Sequence, residues 1–91
     1  MTGGTYVYIA LCADKSFYTG ITNNLSKREI KHNYGVGSTY TKKRRPIKII
    51  YSEFFKTRAD AAKREKQIKG WSKNKKHNLI LYGHPKPKKN L

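Results

Sequence analysis

TYVYIALCADKSFYTGI, from Thr5 to Ile21, decides how the rest of the chain must fold. Thr5–Leu11 is β-branched and aromatic and reads as a strand, and Ser16–Ile21 reads as a second. The short Ala13–Asp14–Lys15 link between them suits a tight antiparallel hairpin. Period-two alternation sorts the side chains. Val7, Ile9 and Leu11 share one face of the first strand, with Phe17, Thr19 and Ile21 beside them on the second. Tyr8 and Tyr18 then lie together on the opposite face, next to a bare Gly20 that lets a backbone or ligand come close.

Working outward, Thr22–Asn23–Asn24 offers capping side chains for a helix LSKREIKHNY, which Gly35 ends. On that helix Arg28 and His32 project together, one turn apart. GVGSTYTKKRRP, Gly35 to Pro46, reads as a glycine-containing basic loop, and Ile47–Phe55 as the third strand. Thr57 with Asp60 resembles a capping box and opens a helix that Gly70 closes. Ser72 caps a last helix running to about Leu81. The order β-β-α-β-α-α makes this an α+β fold, a small three-stranded antiparallel sheet flanked by helices. Residues 1–82 read as one domain and residues 83–91 as a basic flexible tail.

Ninety-one residues with 21 Lys+Arg and 5 Asp+Glu give a net charge of +16. So strong a self-repulsion makes a polyanion the natural partner, DNA first, with RNA as the alternative polymer and an acidic membrane surface behind both. No apolar run approaches transmembrane length and no signal segment opens the chain, so the expectation is a cytoplasmic protein without a membrane partner. The single Cys12 excludes a disulfide framework and a multi-cysteine metal site.

Against that charge, one acid stands out. In TRADAAKREKQIKGW, Ala61, Glu65 and Ile68 share a stripe that faces the core, while most of the Lys and Arg residues lie off it. A carboxylate on a half-buried face needs a partner: an Arg, a His or a bound cation. Taken singly, each candidate has a plain structural explanation as packing, solvated face or ion pair. Together, two tyrosines, an Arg, a His and an inward Glu form the set that phosphodiester hydrolysis needs. A carboxylate can hold Mg2+ with its waters, an Arg can fork onto phosphate, and a Tyr or His can order or deprotonate water.

These residues resemble the GIY-YIG nuclease superfamily, in its small stand-alone form. Tyr6-Val7-Tyr8 stands for the first signature and Tyr18-Thr19-Gly20 for the second, followed by Arg28, His32 and Glu65. The likeness runs from about Thr5 to Leu81. Tyr6, Val7 and Thr19 depart from the signatures and spare the polar positions. The resemblance implies that Tyr8 and Tyr18 position or activate water, Arg28 contacts the scissile phosphate and His32 assists proton transfer. It further implies that Glu65 binds a single divalent metal, Mg2+ or Mn2+. An Asn that many members carry after the Glu has two candidates here, Asn74 and Asn78, and spacing does not choose.

The function implied is a metal-dependent DNA endonuclease or nicking enzyme, of the kind used in DNA repair, acting as a monomer. The alternative is a non-catalytic nucleic-acid-binding module of the same fold. For it, Tyr40 with Lys42, Lys43, Arg44 and Arg45 would stack on bases and hold phosphates. Specificity would come from that loop, from DNA shape or from a protein partner. Trp71 reads as a packing residue, and His77 and His84 are given no role.

Overall fold

In a computed structural model that describes residues 3–83, strands β1 (Thr5–Leu11), β2 (Phe17–Thr22) and β3 (Lys48–Phe55) form an antiparallel sheet in the order β2-β1-β3. The helices are α1 (Leu25–Asn33), α2 (Thr39–Lys42), α3 (Arg58–Lys69) and α4 (Lys73–Tyr82). The tail expected at residues 83–91 lies, from residue 84 on, outside the described residues, as does His84. Among the described residues no helix is long and apolar enough to cross a membrane.

Side-chain oxygens define the helix starts. Asn24, Ser38, Thr57 and Ser72 each accept from the backbone N–H three residues on, satisfying an otherwise orphaned donor. The end of α1 is equally determined. Gly35 takes φ of 84°, its N–H reaches the carbonyl of His32 at 3.0 Å, and the Val36 N–H reaches that of Lys31 at 3.1 Å. This paired closure needs a left-handed residue at Gly35 and folds Val36 back over the last turn.

The helix α2 corrects the sequence reading, which has an irregular loop from Gly35 to Pro46. Ser38 caps a single turn whose inner residue, Thr41, is fully buried. The loop thereby gains an inside and an outside.

The sheet has a packed layer on each face. Val7 and Ile9 meet Ala61 and Ile68 of α3 and Leu79 of α4, with Phe17, Ile21, Tyr51, Phe55, Trp71 and Ile80 around them. Burial of Val7, Ile9, Ile68 and Leu79 contributes on the order of 1.5–3 kcal/mol each. Tyr8, Ala10, Cys12 and Ile47 form the second layer, flanked by Tyr18, Leu25 and Ile49. Alternation along β1 suggests one core face; the second is closed because α1 and α2 lie across it. Arg64 ties α3 to β3 by forking onto Glu53 at 2.8 and 3.0 Å. The Tyr51 hydroxyl donates to the same carboxylate.

Gly20 is explained by the same packing. It pairs with Tyr8 across the hairpin, and a Cβ placed on it would meet the Tyr8 hydroxyl at 2.6 Å and ring carbon Cζ at 2.8 Å. The space that the bare residue leaves is therefore filled by Tyr8 itself, not by a passing backbone or ligand. Gly20→Ala is expected to destabilise the fold by roughly 1–3 kcal/mol through overpacking, measurable as a lower urea midpoint at unchanged slope. An unaltered midpoint would show that the ring shifts freely.

Candidate active site

At the centre of the Tyr8 face lies a hydrogen-bonded chain. The Tyr8 hydroxyl is 2.7 Å from His32 Nε2, and His32 Nδ1 is 2.8 Å from Thr41 Oγ1. Thr41 Oγ1 in turn donates to the Ser38 carbonyl at 3.3 Å. If Thr41 donates there, it accepts from His32 Nδ1–H. Nε2 then carries the lone pair, and Tyr8 donates its O–H to it. Arg28 Nε donates to the same hydroxyl at 3.3 Å and its NH2 to the Gly37 carbonyl at 3.4 Å. Both Arg28 bonds are long, so the guanidinium is only loosely committed to them.

Electrostatics fit that proton assignment. Burial, followed by the Arg28 charge, lowers the His32 pKa below its usual 6.5 and keeps the imidazole neutral. Burial raises the Tyr8 pKa; the hydrogen bond and charge of Arg28 pull it down, while Tyr18 and Glu65 add to the rise. Arg28 is held more firmly charged, chiefly by its bond to Tyr8.

The site has two depths. Tyr8, His32 and Thr41 are fully buried, whereas Tyr18, Arg28 and Glu65 are half-buried. The sequence places all five candidates on one open surface; the structure puts Tyr8 and His32 beneath it, because α1 and α2 close over that face. Tyr18 joins the cluster through its ring, edge-on to His32 with centroids 5.3 Å apart. Beside Arg28 opens a basic groove of about 320 Å3, bordered by Asn24, Lys27, Lys31 and Arg58.

Glu65 stands on α3, in the other layer, and its charge slightly opposes ionisation of Tyr8. Its partner is neither Arg nor His but Lys69, one turn along, with Nζ 3.1 Å from Oε2. That lysine is mostly in solvent and the pair is worth little, so it does not lock the carboxylate away. Among the described residues no three His, Cys, Asp or Glu side chains cluster as metal ligands. A half-buried carboxylate held only by a weak ion pair fits a hard divalent ion that takes one protein ligand and keeps most of its waters.

The basic loop is more constrained than its composition suggests. The Tyr40 ring stacks on Tyr18 at 5.9 Å and carries the Arg44 guanidinium 3.8 Å from its centroid. With a ring at 5.9 Å and a guanidinium at 3.8 Å, it is already engaged as a stacking surface within the chain. Arg44 is held by Asp14 of the hairpin turn at 3.0 Å and by the Tyr40 carbonyl, and Arg45 by the carbonyls of Lys42 and Asn33. Hydrogen bonds from Ser16, with Arg44 nearby, hold the Asp14 carboxyl below its usual range. Lys42 and Lys43 remain exposed.

Sequence reasoning missed Thr41, Ser38 and Gly37. A Cβ on Gly37 would lie 2.0 Å from His32 Nδ1, so its backbone is pressed against the imidazole. The available signal was Ser38 with a polar residue three positions on, a helix-start pattern inside an apparent loop.

The comparisons agree with this architecture. The family model described as the GIY-YIG catalytic domain matches residues 4–78. A UPF0213 protein of Staphylococcus saprophyticus is 50% identical over 78 residues, covering 86% of this chain and 95% of its own. Another, of Clostridium perfringens, is 51% identical over 75 residues, covering 82% and 81%. The solution NMR structure of a UPF0213 protein from Bacillus halodurans is similar with a TM-score of 0.57 and 36% identity, over 89% of this chain and 87% of that one. A protein of E. faecalis, also solved by NMR, gives 0.62 and 35% over 98% and 95%.

Proposed function

The chain belongs to the GIY-YIG catalytic-domain family, a nuclease superfamily, and from that membership we propose that it is a divalent-metal-dependent DNA endonuclease or nicking enzyme. The observation that carries the reading is the Tyr8 hydroxyl held between Arg28 Nε and Nε2 of a neutral His32. A packing tyrosine needs one partner at most; this one has a donor on one side and a base on the other.

In this reading the half-buried layer meets the substrate. Arg28, whose bonds are long, turns its fork onto the scissile phosphate, and Tyr18 orders the attacking water. Behind them, Tyr8 takes up the proton that the water releases and passes its own to His32, whose ring Thr41 holds at Nδ1. Glu65 would hold the metal, Mg2+ or Mn2+, which when bound supplies charge neutralisation at the phosphate. Substrate reaches the site through the Lys27–Lys31 groove and the exposed Lys42 and Lys43. We place the protein as a monomer, with the choice of DNA set by shape or by a protein partner.

One observation favours the second reading, a binding module that does not cut: Glu65 already has an ion-pair partner in Lys69. A supercoiled-plasmid assay decides between them. Nicking with Mg2+ or Mn2+ that EDTA stops is the expected result. Binding without nicking, in both metals, would leave the module.

A further inference from the structure

The structure carries a second aromatic position, on the far side of α1, that the active-site reading does not use. Tyr34, the residue that ends α1, is 78% exposed, with Val36 at 68% and Ile30 at 56%. Ile30 and Tyr34 lie one turn apart, and the closure at Gly35 brings Val36 back over the same turn. Three large apolar residues thus form an open ridge in a chain of net charge +16.

Several other rings among the described residues already have a ring or a cation against them. Tyr40 lies against Tyr18 and under Arg44, Phe54 packs on Tyr6, and Trp71 is approached by Arg64 and Lys75. Among the described residues Tyr34 has no ring or cation against it. Its surroundings are cationic. Arg45 is fixed at the base of the ridge by its bond to the Asn33 carbonyl, and its NH1 would lie 3.0 Å from a Cβ on Gly35. Lys42 packs near the same glycine, and Lys27 and Lys31 continue the helix surface into the groove beside Arg28. The one acid on α1, Glu29, is turned away to accept from the Ile49 N–H at 2.7 Å.

We propose that this ridge is the seat of an unpaired nucleobase: Tyr34 stacks on a base that has left the duplex, and Lys31, Lys42 and Arg45 hold the phosphates on either side. An aromatic face with cations around it binds an exposed base without regard to sequence, and a fully paired duplex offers no free base face to it. The surface therefore favours nucleic acid with a bulge, gap or single-stranded end. It deepens the nuclease reading and rests on it, since a helix diameter of about 10–12 Å separates the ridge from Arg28. A strand gripped at both places would run across the Lys27–Lys31 groove.

The test is binding in EDTA, so that cleavage plays no part. The probes are two otherwise identical duplexes with 2-aminopurine either in a single-nucleotide bulge or fully paired. Wild type and Tyr34→Phe should quench the bulged probe and bind it more tightly than the paired one. Tyr34→Ala should lose the quenching and about tenfold in affinity for the bulge, with little change for the paired duplex. Because Tyr34 is exposed, the Ala variant should fold, and the Phe variant reports any loss that is not stacking. Equal affinity of Tyr34→Ala and wild type for the bulge would overturn the proposal and leave the ridge to a protein partner. Loss of quenching selectivity with plasmid nicking intact would remove the ridge alone. Nicking that fails while bulge selectivity stands would remove the nuclease reading alone.

Discussion

Glu65→Gln is expected to lower cleavage by roughly a thousandfold or more while leaving DNA affinity nearly unchanged. The substitution keeps the volume of the side chain and removes only its charge. An amide oxygen is a poor ligand for a hard cation, and loss of the metal removes several kcal/mol of charge stabilisation, where each 1.36 kcal/mol is about tenfold in rate. Affinity rests instead on the 21 Lys and Arg residues. Stability should hardly move, because the ion pair lost among the described residues is the weak one with the half-exposed Lys69. Matched nicking rates and binding isotherms read both quantities. A variant that still nicks within a few-fold of wild type, over an inactive background, would remove Glu65 from the chemistry.

Tyr8→Phe comes second in size, with an expected rate loss of roughly a hundredfold to ten-thousandfold, the range for removing a positioned proton-transfer group. The ring should stay in place, held in its layer with Ala10 and over Gly20. What goes is the hydroxyl, leaving His32 Nε2 buried without its partner at a cost of about 1–3 kcal/mol. The pH dependence carries the same signature. His32 is depressed below 6.5 and Tyr8 raised above 10.0, so both hold the required protonation state across the neutral range. The wild-type rate should therefore be flat there, fall on the acid side only below 6.5, and fall on the alkaline side only beyond 10.0. Stability follows the histidine in the same direction. The unfolded chain takes up the proton first as pH drops, so the contribution of neutral His32 is present above 6.5 and is lost as pH falls through its folded value. Unimpaired cleavage by Tyr8→Phe would show the cluster to be packing.

Much of this was legible because it follows local rules. Alternation in TYVYIAL and FYTGIT put Tyr8 and Tyr18 on one face, and Asn24, Thr57 and Ser72 announced their helices. Where the reading failed, the missing information was tertiary. Burial of both faces of β1 depends on where α1 lands, which its own spacing does not state. Thr41 was hidden because two glycines and a run of four cations around one helical turn look like coil, and only its bond to His32 gives the turn a purpose. The Lys69 partner of Glu65 was available at i,i+4 spacing, but a weighing confined to Arg, His and metal passed over it. The tie of Arg44 to Asp14 was not visible either, because that bridge spans 30 positions.

Gly20 has a consequence for how substitutions in the hairpin combine. Its φ is not in the left-handed region, so what the position demands is absence of volume and not a special backbone. The glycine of the second signature and the tyrosine of the first are therefore coupled, because a side chain at 20 and the ring at 8 compete for one space. Shortening Tyr8 would release the constraint at 20, so the costs of the two substitutions should not add.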